Sequence, residues 1–398
     1  MTRALALTLL RILIVVSACL CGVYWLVIRD MYYTPVEALR SGHGWPPASV
    51  HMVVPWPQDG RIDLIEGVTL ALEELNAGNS PLAGRVRVEF VDEQVTERDY
   101  GAVARRIAAD DSVVVVIGHE SHERAIPSAV SYASSGILYL SPKATLPRLT
   151  EHAFQNVFRL VPDDADNSQA LASYAQKQGW RRLGIFYGRF EQGEVLARWF
   201  SLNAVREGLT PLYFHSYLPA PDYRRQDFRA LLATMRTEAT DAILLADQLP
   251  WAAKVLIDMQ AMGFTQPVLA DDNLDSSETW RLAGTAANNL YVASAVDPDS
   301  TDPAFLAFRR RFFDRFKVNP GYGSSQGYEA FNLFVKAAEL TQSVDPVMVA
   351  TTLKTNEWQG LFGPYTFTVD GAIRGRKLVI KRMRDGVFTT VGNEEVQQ

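Results

Sequence analysis

From residue 50 onward, short apolar runs alternate with stretches in which apolar residues recur every three or four positions. Residues 50–56 form the first run. Ile62, Ile65, Val68, Leu72 and Leu75 then share one helical face, with Asp59 near the start and Gly78 beyond the end, which predicts a strand followed by a helix. In 86–90, Val86, Val88 and Phe90 alternate with Arg87 and Glu89, the signature of a strand with one wet face near a sheet edge. Residues 113–117 are apolar throughout and predict a central parallel strand. Further strands are expected at 137–140, 183–187, 242–246, 268–270 and 290–293, with helix-period segments between them. Such alternation over some 300 residues predicts doubly wound parallel sheets. The end of the chain differs: 365–369, 377–381 and 387–391 read as short strands around Asp370-Gly371 and Asp385-Gly386 turns.

One apolar run precedes all of this. Residues 12–28 carry no charge, and at seventeen residues they are just long enough to span a bilayer. Arg3 and Arg11 lie before the run, whereas Arg29 after it is offset by Asp30, so the short end stays in the cytoplasm and the remainder is exported. Val16-Ser17-Ala18-Cys19 also reads as a lipobox, with Cys19 as the lipidation site, although 20–28 stays apolar beyond it. A cleaved signal peptide is the third reading. All three export the rest of the chain. Residues 1–30 are therefore expected to form a transmembrane signal anchor or lipoprotein signal in a bacterial inner membrane, and 31–49, with Pro35, Pro46, Pro47, Gly42 and Gly44, a tether.

Composition removes several classes. The 398 residues carry a net charge of -6 without any run of Lys and Arg, so nucleic acid is not an expected partner. Both cysteines, Cys19 and Cys21, lie in the apolar run, which leaves the exported part without a thiol nucleophile or a cysteine metal site. The first strand is followed by Pro55-Trp56-Pro57-Gln58-Asp59-Gly60 rather than a glycine-rich phosphate cradle, and neither GxxxxGK[ST] nor GxSxG occurs. No cofactor and no catalytic residue is expected. The best catalytic-looking string is Gly118-His119-Glu120-Ser121-His122-Glu123, but its histidines are three apart rather than the four of HExxH, so zinc is a weak reading beside a helix-capping turn or a ligand-lining loop. Asp271-Asp272-Asn273-Leu274-Asp275 lacks the glycine and distal glutamate of a calcium loop and reads as a cap or as a carboxylate for a ligand ammonium. In doubly wound folds ligands meet the carboxyl ends of strands, which is where both strings lie.

In order along the chain come EGVTLALEELNAG, VRVEFVDE, VVVVIGHES, GILYLSPKATLPRLT, VFRLVPDD, LGIFYGRFEQGE, GYEAFNLFVKAAEL and LFGPYTFTVDGAIRGRKLVIKRMRDG. In these segments the sequence resembles the type I periplasmic ligand-binding proteins, specifically the branched-chain amino-acid-binding branch of ABC-transporter solute receptors. The resemblance spans nearly all of 50–391. It implies two α/β lobes joined by three crossovers near 162–166, 295–298 and 357–360, with 50–163 plus 297–357 in lobe 1 and 164–296 plus 358–398 in lobe 2. It also implies hinge closure on a ligand and recognition of the closed form by an ABC permease. Residue by residue, Thr145 matches a threonine that engages an amino acid's backbone groups, and Asp272 falls where an acidic residue meets the ammonium. Three positions depart from the pattern: Ser121 and His122 share the place of a single hydroxyl, Lys143 replaces a small residue, and Gln192 stands where an aromatic is common. Lys143 would either point to solvent, attract an acidic ligand, or pair with Asp272 and fill the site. Trp56 is a candidate stacking surface.

The resemblance thus implies a membrane-tethered, non-catalytic receptor for an amino acid or a related amide or carboxylate. The altered pocket and the anchor also admit a degenerate binding fold that serves as a sensor or protein-interaction module for a membrane partner.

Overall fold

The computed structural model describes residues 44–58, 63–93, 101–218, 232 and 239–394. The anchor expected over 12–28, Cys19, Asp59 and Ile62 lie outside them. Among the described residues no helix is long and apolar enough to cross a membrane.

Five strands build the first sheet: β1 (Val50–Pro55), β2 (Val86–Val91), β3 (Val113–Ile117), β4 (Leu138–Ser141) and β5 (Val157–Arg159). They are all parallel, in the order β2-β1-β3-β4-β5. The alternating segment is indeed the edge strand β2, and the wholly apolar run is the central β3, buried at every position. Helix α1 (Leu64–Ala77) starts at Asp63, whose backbone N–H donates to Glu66 Oε2 at 2.8 Å, rather than near Asp59; that reciprocal cap is the stronger local signal. Helices α2 (Ala102–Ala108), α3 (His122–Ser134) and α4 (Arg148–Glu151) complete this part of the chain.

The second sheet takes β6 (Arg182–Gly188), β7 (Thr210–Tyr217), β8 (Ala242–Ala246), β9 (Val268–Ala270) and β10 (Leu290–Ser294), interleaved with helices α5 (Asp164–Lys177), α6 (Glu191–Arg206), α7 (Trp251–Ala261) and α8 (Ser277–Ala283). Its parallel part runs β7-β6-β8-β9-β10, the same order as the first sheet, and β14 (Leu378–Arg384) and β15 (Val387–Glu394) extend it antiparallel beyond β10. Asp385 and Gly386 join β14 to β15 with φ of 48° and 86°, the two left-handed positions a tight hairpin needs.

Between these passes, α9 (Pro303–Phe316), α10 (Tyr322–Thr341) and α11 (Pro346–Thr355) return to the first sheet. Helix α10 lies so close along α1 that a methyl group on Gly67 would stand 2.0 Å from the Ser324 carbonyl oxygen. A small antiparallel sheet follows, β11 (Trp358–Gly360), β12 (Gly363–Phe367) and β13 (Ile373–Arg374). Trp358, Tyr365, Phe367 and Ile373 bury into the apolar core that also holds Val54 of β1, Ile117 of β3 and Phe331 of α10. The chain therefore leaves the first core after β13, not at 357–360, because these aromatic and aliphatic side chains have their complementary surface there. The expected tether is also shorter at its far end: Trp45 packs on the same core, and Arg85 Nη1 donates to the Pro47 carbonyl at 3.1 Å.

A small apolar contact joins separated stretches of chain between the two sheets: Val161, Val296 and Tyr322, with Phe362 against them. Beside β11 and β12, Glu329 of α10 and Arg376 form a buried pair at 3.1 Å. Glu329 also accepts the Leu361 backbone N–H at 2.6 Å.

Candidate functional site

In both sheets the strand order reverses direction beside the first strand, which opens a crevice at the carboxyl ends. In the first sheet this point lies between β1, followed by Trp56, and β3, followed by the 118–123 loop. In the second it lies between β6 and β8, followed by Asp247. The predicted site residues follow β1 (Trp56), β3 (Ser121, His122), β4 (Lys143, Thr145), β6 (Gln192) and β9 (Asp272).

The residues after β3 do not act as one group. His119 Nδ1 lies 2.6 Å from Glu93 Oε2 and its Nε2 lies 3.0 Å from the Tyr132 hydroxyl, a buried structural knot that also takes the Glu120 backbone N–H onto Glu93 Oε1. Ser121 occupies the N-cap position of α3 without a capping hydrogen bond from its side chain. His122 is turned away from that knot and buried, and neither of its ring nitrogens makes a well-formed hydrogen bond. Burial pushes His122 down to about 4, with Glu123 opposing and Lys143 assisting, so the ring is neutral near pH 7.

Lys143 crosses the crevice. Leaving the end of β4, its Nζ donates to the Asp272 carbonyl at 3.0 Å and stands 3.6 Å from Asp272 Oδ2, with the Tyr322 ring centroid 4.8 Å away. Of the three outcomes open in the sequence, the structure shows the pairing with Asp272. Burial works against the Lys143 charge, but Asp272 and Asp271 outweigh it and raise its pKa. Burial, with Asp272 next to it, likewise raises the Tyr322 phenol.

Beside this pair lies a polar relay. The Thr145 hydroxyl donates to Asp164 Oδ1 at 2.7 Å, and Gln192 Nε2 donates to Asp164 Oδ1 at 3.2 Å and to Asp271 Oδ2 at 2.5 Å. Asn273 Nδ2 then donates to Gln192 Oε1 at 3.1 Å and to Asp271 Oδ2 at 3.0 Å. Thr145, Lys143, Gln192 and Asp272 are thus brought together, and His122 joins them through the electrostatic reach of Lys143 and Asn273. Asp272 alone is within ion-pair distance of Lys143, while Asp271 and Asp164 belong to the neighbouring hydrogen-bonded relay. Asp271 is held well above the usual carboxylate range by burial and then by Asp272 and Asp164, and Asp164 is pushed up to about 7 mainly by burial.

A consequence follows for stability. Asp164 has a folded pKa above its ordinary 3.8, so the folded state holds this proton while the unfolded state releases it, and the resulting penalty grows as pH rises to and through about 7. Asp247, also raised to about 7 by burial, acts in the same direction, and above pH 6.5 His122 no longer opposes. Thermal melts should therefore fall between pH 6.5 and 8, by roughly 1 kcal/mol for each group. Asp164→Asn should remove its share of that slope, and an unchanged slope would refute the assignment.

Several polar atoms of residues at or near the strand ends are buried without a hydrogen bond: Trp56 Nε1, His122 Nδ1 and Nε2, Asp164 Oδ2, both carboxylate oxygens of Asp272, of which Oδ2 faces Lys143 at ion-pair distance, and Gln326 Nε2 one helical turn beyond Tyr322. Unsatisfied groups of this kind are costly and therefore infrequent, and here they come from both halves of the fold. Asp271 was read from the sequence only as part of its acidic string, and Asp164, Tyr322 and Gln326 were not singled out. The strand-end rule applies to Asp164 and Asp271, but Tyr322 and Gln326 start a helix remote in sequence from every strand end of the site.

Fold and site together define a two-lobed α/β receptor with its crevice at facing strand ends. The chain belongs to the periplasmic binding protein family, whose profile matches residues 58–385. It is 25% identical over 315 residues to the Leu/Ile/Val-binding protein of Escherichia coli strain K12, covering 78% of this chain and 82% of that one. The amino acid binding protein of Pseudomonas aeruginosa is 22% identical over 325 residues, 80% of this chain and 84% of that one. Among solved structures, an ABC transporter substrate-binding protein from Desulfitobacterium hafniense in complex with Leu superposes with a TM-score of 0.77 at 27% identity, covering 86% of this chain and 100% of that chain. These relatives are binding proteins rather than enzymes, and membership in their family points to an extracytoplasmic location.

Proposed function

We propose that this chain is the solute-binding receptor of an ABC transporter of the branched-chain amino acid type, tethered through its N-terminal segment to the outer face of the membrane. It captures a small ligand of amino-acid, amide or carboxylate chemistry between its lobes, and a permease engages the closed form. The observation that carries this reading is the set of buried, unpartnered polar atoms contributed from both lobes at the strand ends. Protein–protein pairing leaves them unsatisfied, and a small polar ligand would satisfy them. Family membership and the named relatives support it.

Thermal melting of the full chain against a panel of amino acids, their amides and their carboxylates tests the proposal. A ligand present at about 100 times its Kd adds roughly 2.7 kcal/mol of stability. Trp56→Ala should weaken that ligand at least tenfold. A panel without any stabilising compound counts against a working pocket.

The Lys143–Asp272 contact favours a second reading, because an ion pair between the lobes holds them together without a ligand. The fold would then serve as an extracytoplasmic sensor or interaction module. Crosslinking in cells separates the two: capture of a permease supports transport, and ligand-independent capture of another membrane protein supports the sensor.

A further inference from the structure

We infer that Lys143 fills the cation position of the cleft, so that the ligand of this receptor is a small uncharged amide rather than an α-amino acid. The inference rests on the solute-binding reading and narrows it to a ligand class.

The surroundings of Lys143 Nζ are those that bind a primary ammonium: the Asp272 carboxylate at 3.6 Å, the Asp272 carbonyl oxygen at 3.0 Å and an aromatic face, Tyr322, at 4.8 Å. All three are engaged by a side chain of the protein. The Lys143 side chain retains only 16% exposure, and it carries no other carboxylate contact within ion-pair distance among the described residues. A ligand ammonium would have to displace Lys143 or stand beside a like charge in a crevice where water screens poorly.

The remaining unpaired atoms include both donors and acceptors. Trp56 Nε1 and Gln326 Nε2 are donors without acceptors, and Asp164 Oδ2 is a carboxyl oxygen without a partner. His122 is neutral near pH 7 and offers one donor and one acceptor nitrogen. A ligand carboxylate would suit the donors but would bring an anion next to Asp164 and Asp272. A primary amide presents a carbonyl to the donors and an NH2 to Asp164 Oδ2 or His122, and it adds no charge.

The test is calorimetric titration of the full chain with matched triplets, in which each amino acid is compared with its deaminated carboxylate and its deaminated amide over several side chains. In the wild type, the amide of at least one triplet should bind at least tenfold more tightly than both the carboxylate and the amino acid. In Lys143→Met the amino acid of that triplet should gain at least tenfold. Amino acids binding the wild type as tightly as amides would overturn the inference and leave the solute-binding reading standing. So would a preference unchanged in Lys143→Met. Failure of every triplet in both folded proteins would overturn both. If Lys143→Met does not fold, the ranking of the triplets in the wild type decides alone.

Discussion

Glu329→Ala is expected to lower the unfolding free energy by roughly 3–5 kcal/mol, the usual cost of leaving one partner of a buried ion pair without the other. Arg376 is almost fully buried, and Glu329 is its only hydrogen-bond acceptor among the described residues; its Nε and Nη1 have no partner even in the intact protein. The Tyr365 ring, 4.5 Å from the guanidinium, cannot replace a carboxylate. Removing Glu329 also strands the Leu361 N–H, which it accepts at 2.6 Å. Urea unfolding measures the loss. Glu329→Leu combined with Arg376→Met should recover most of it, since an apolar pair of similar volume avoids the desolvation of both charges. A double variant as unstable as the single one would show that the contact with Leu361, rather than the charge, holds this region.

Gly67→Ala is expected to cost about 3 kcal/mol, at the upper end for overpacking, although alanine is the better helix former. The added methyl would meet backbone, with the Ser324 carbonyl oxygen at 2.0 Å and the Tyr328 nitrogen at 2.9 Å, and backbone cannot rotate aside as a side chain can. Relief requires α1 and α10 to separate. A methyl group on Gly327 would likewise stand 2.4 Å from the Leu64 carbonyl oxygen, so the two helices touch through glycine from both sides. Gly78→Ala is the control, because its nearest atoms lie 3.4 Å away. Equal destabilisation of the two variants by urea unfolding would refute the close-packing argument.

Much of the fold was legible in the sequence. Runs such as Val113–Ile117 and Ala242–Ala246 are buried at every position because a parallel sheet covers both of their faces, and an unbroken apolar run has few other uses. Edge and short strands were harder. Strand β7 begins with exposed Thr210 and is only partly buried over most of its length, so it carries no clear alternation. β11 and β13, of three and two residues, are too short to show a period at all. The third crossover was misplaced for the same reason.

The site was legible by position and not by partnership. Strand ends pointed to Trp56, to the loop with Ser121 and His122 and to the string with Asp272, whereas Lys143, Thr145 and Gln192 came from the family resemblance. That Lys143 reaches Asp272, 129 residues away, depends on how the two sheets are placed, and no local pattern encodes that placement. Tyr322 was missed because aromatic residues at the start of a helix are common and most of them only pack.

The contact of Val161, Val296 and Phe362 with Tyr322 has a mechanical meaning. These side chains come from stretches of chain far apart in sequence, yet they bear on one ring, and that same ring lies beneath the Lys143 ammonium. One aromatic side chain therefore ties the apolar contact of Val161, Val296 and Phe362 to the Lys143–Asp272 pair.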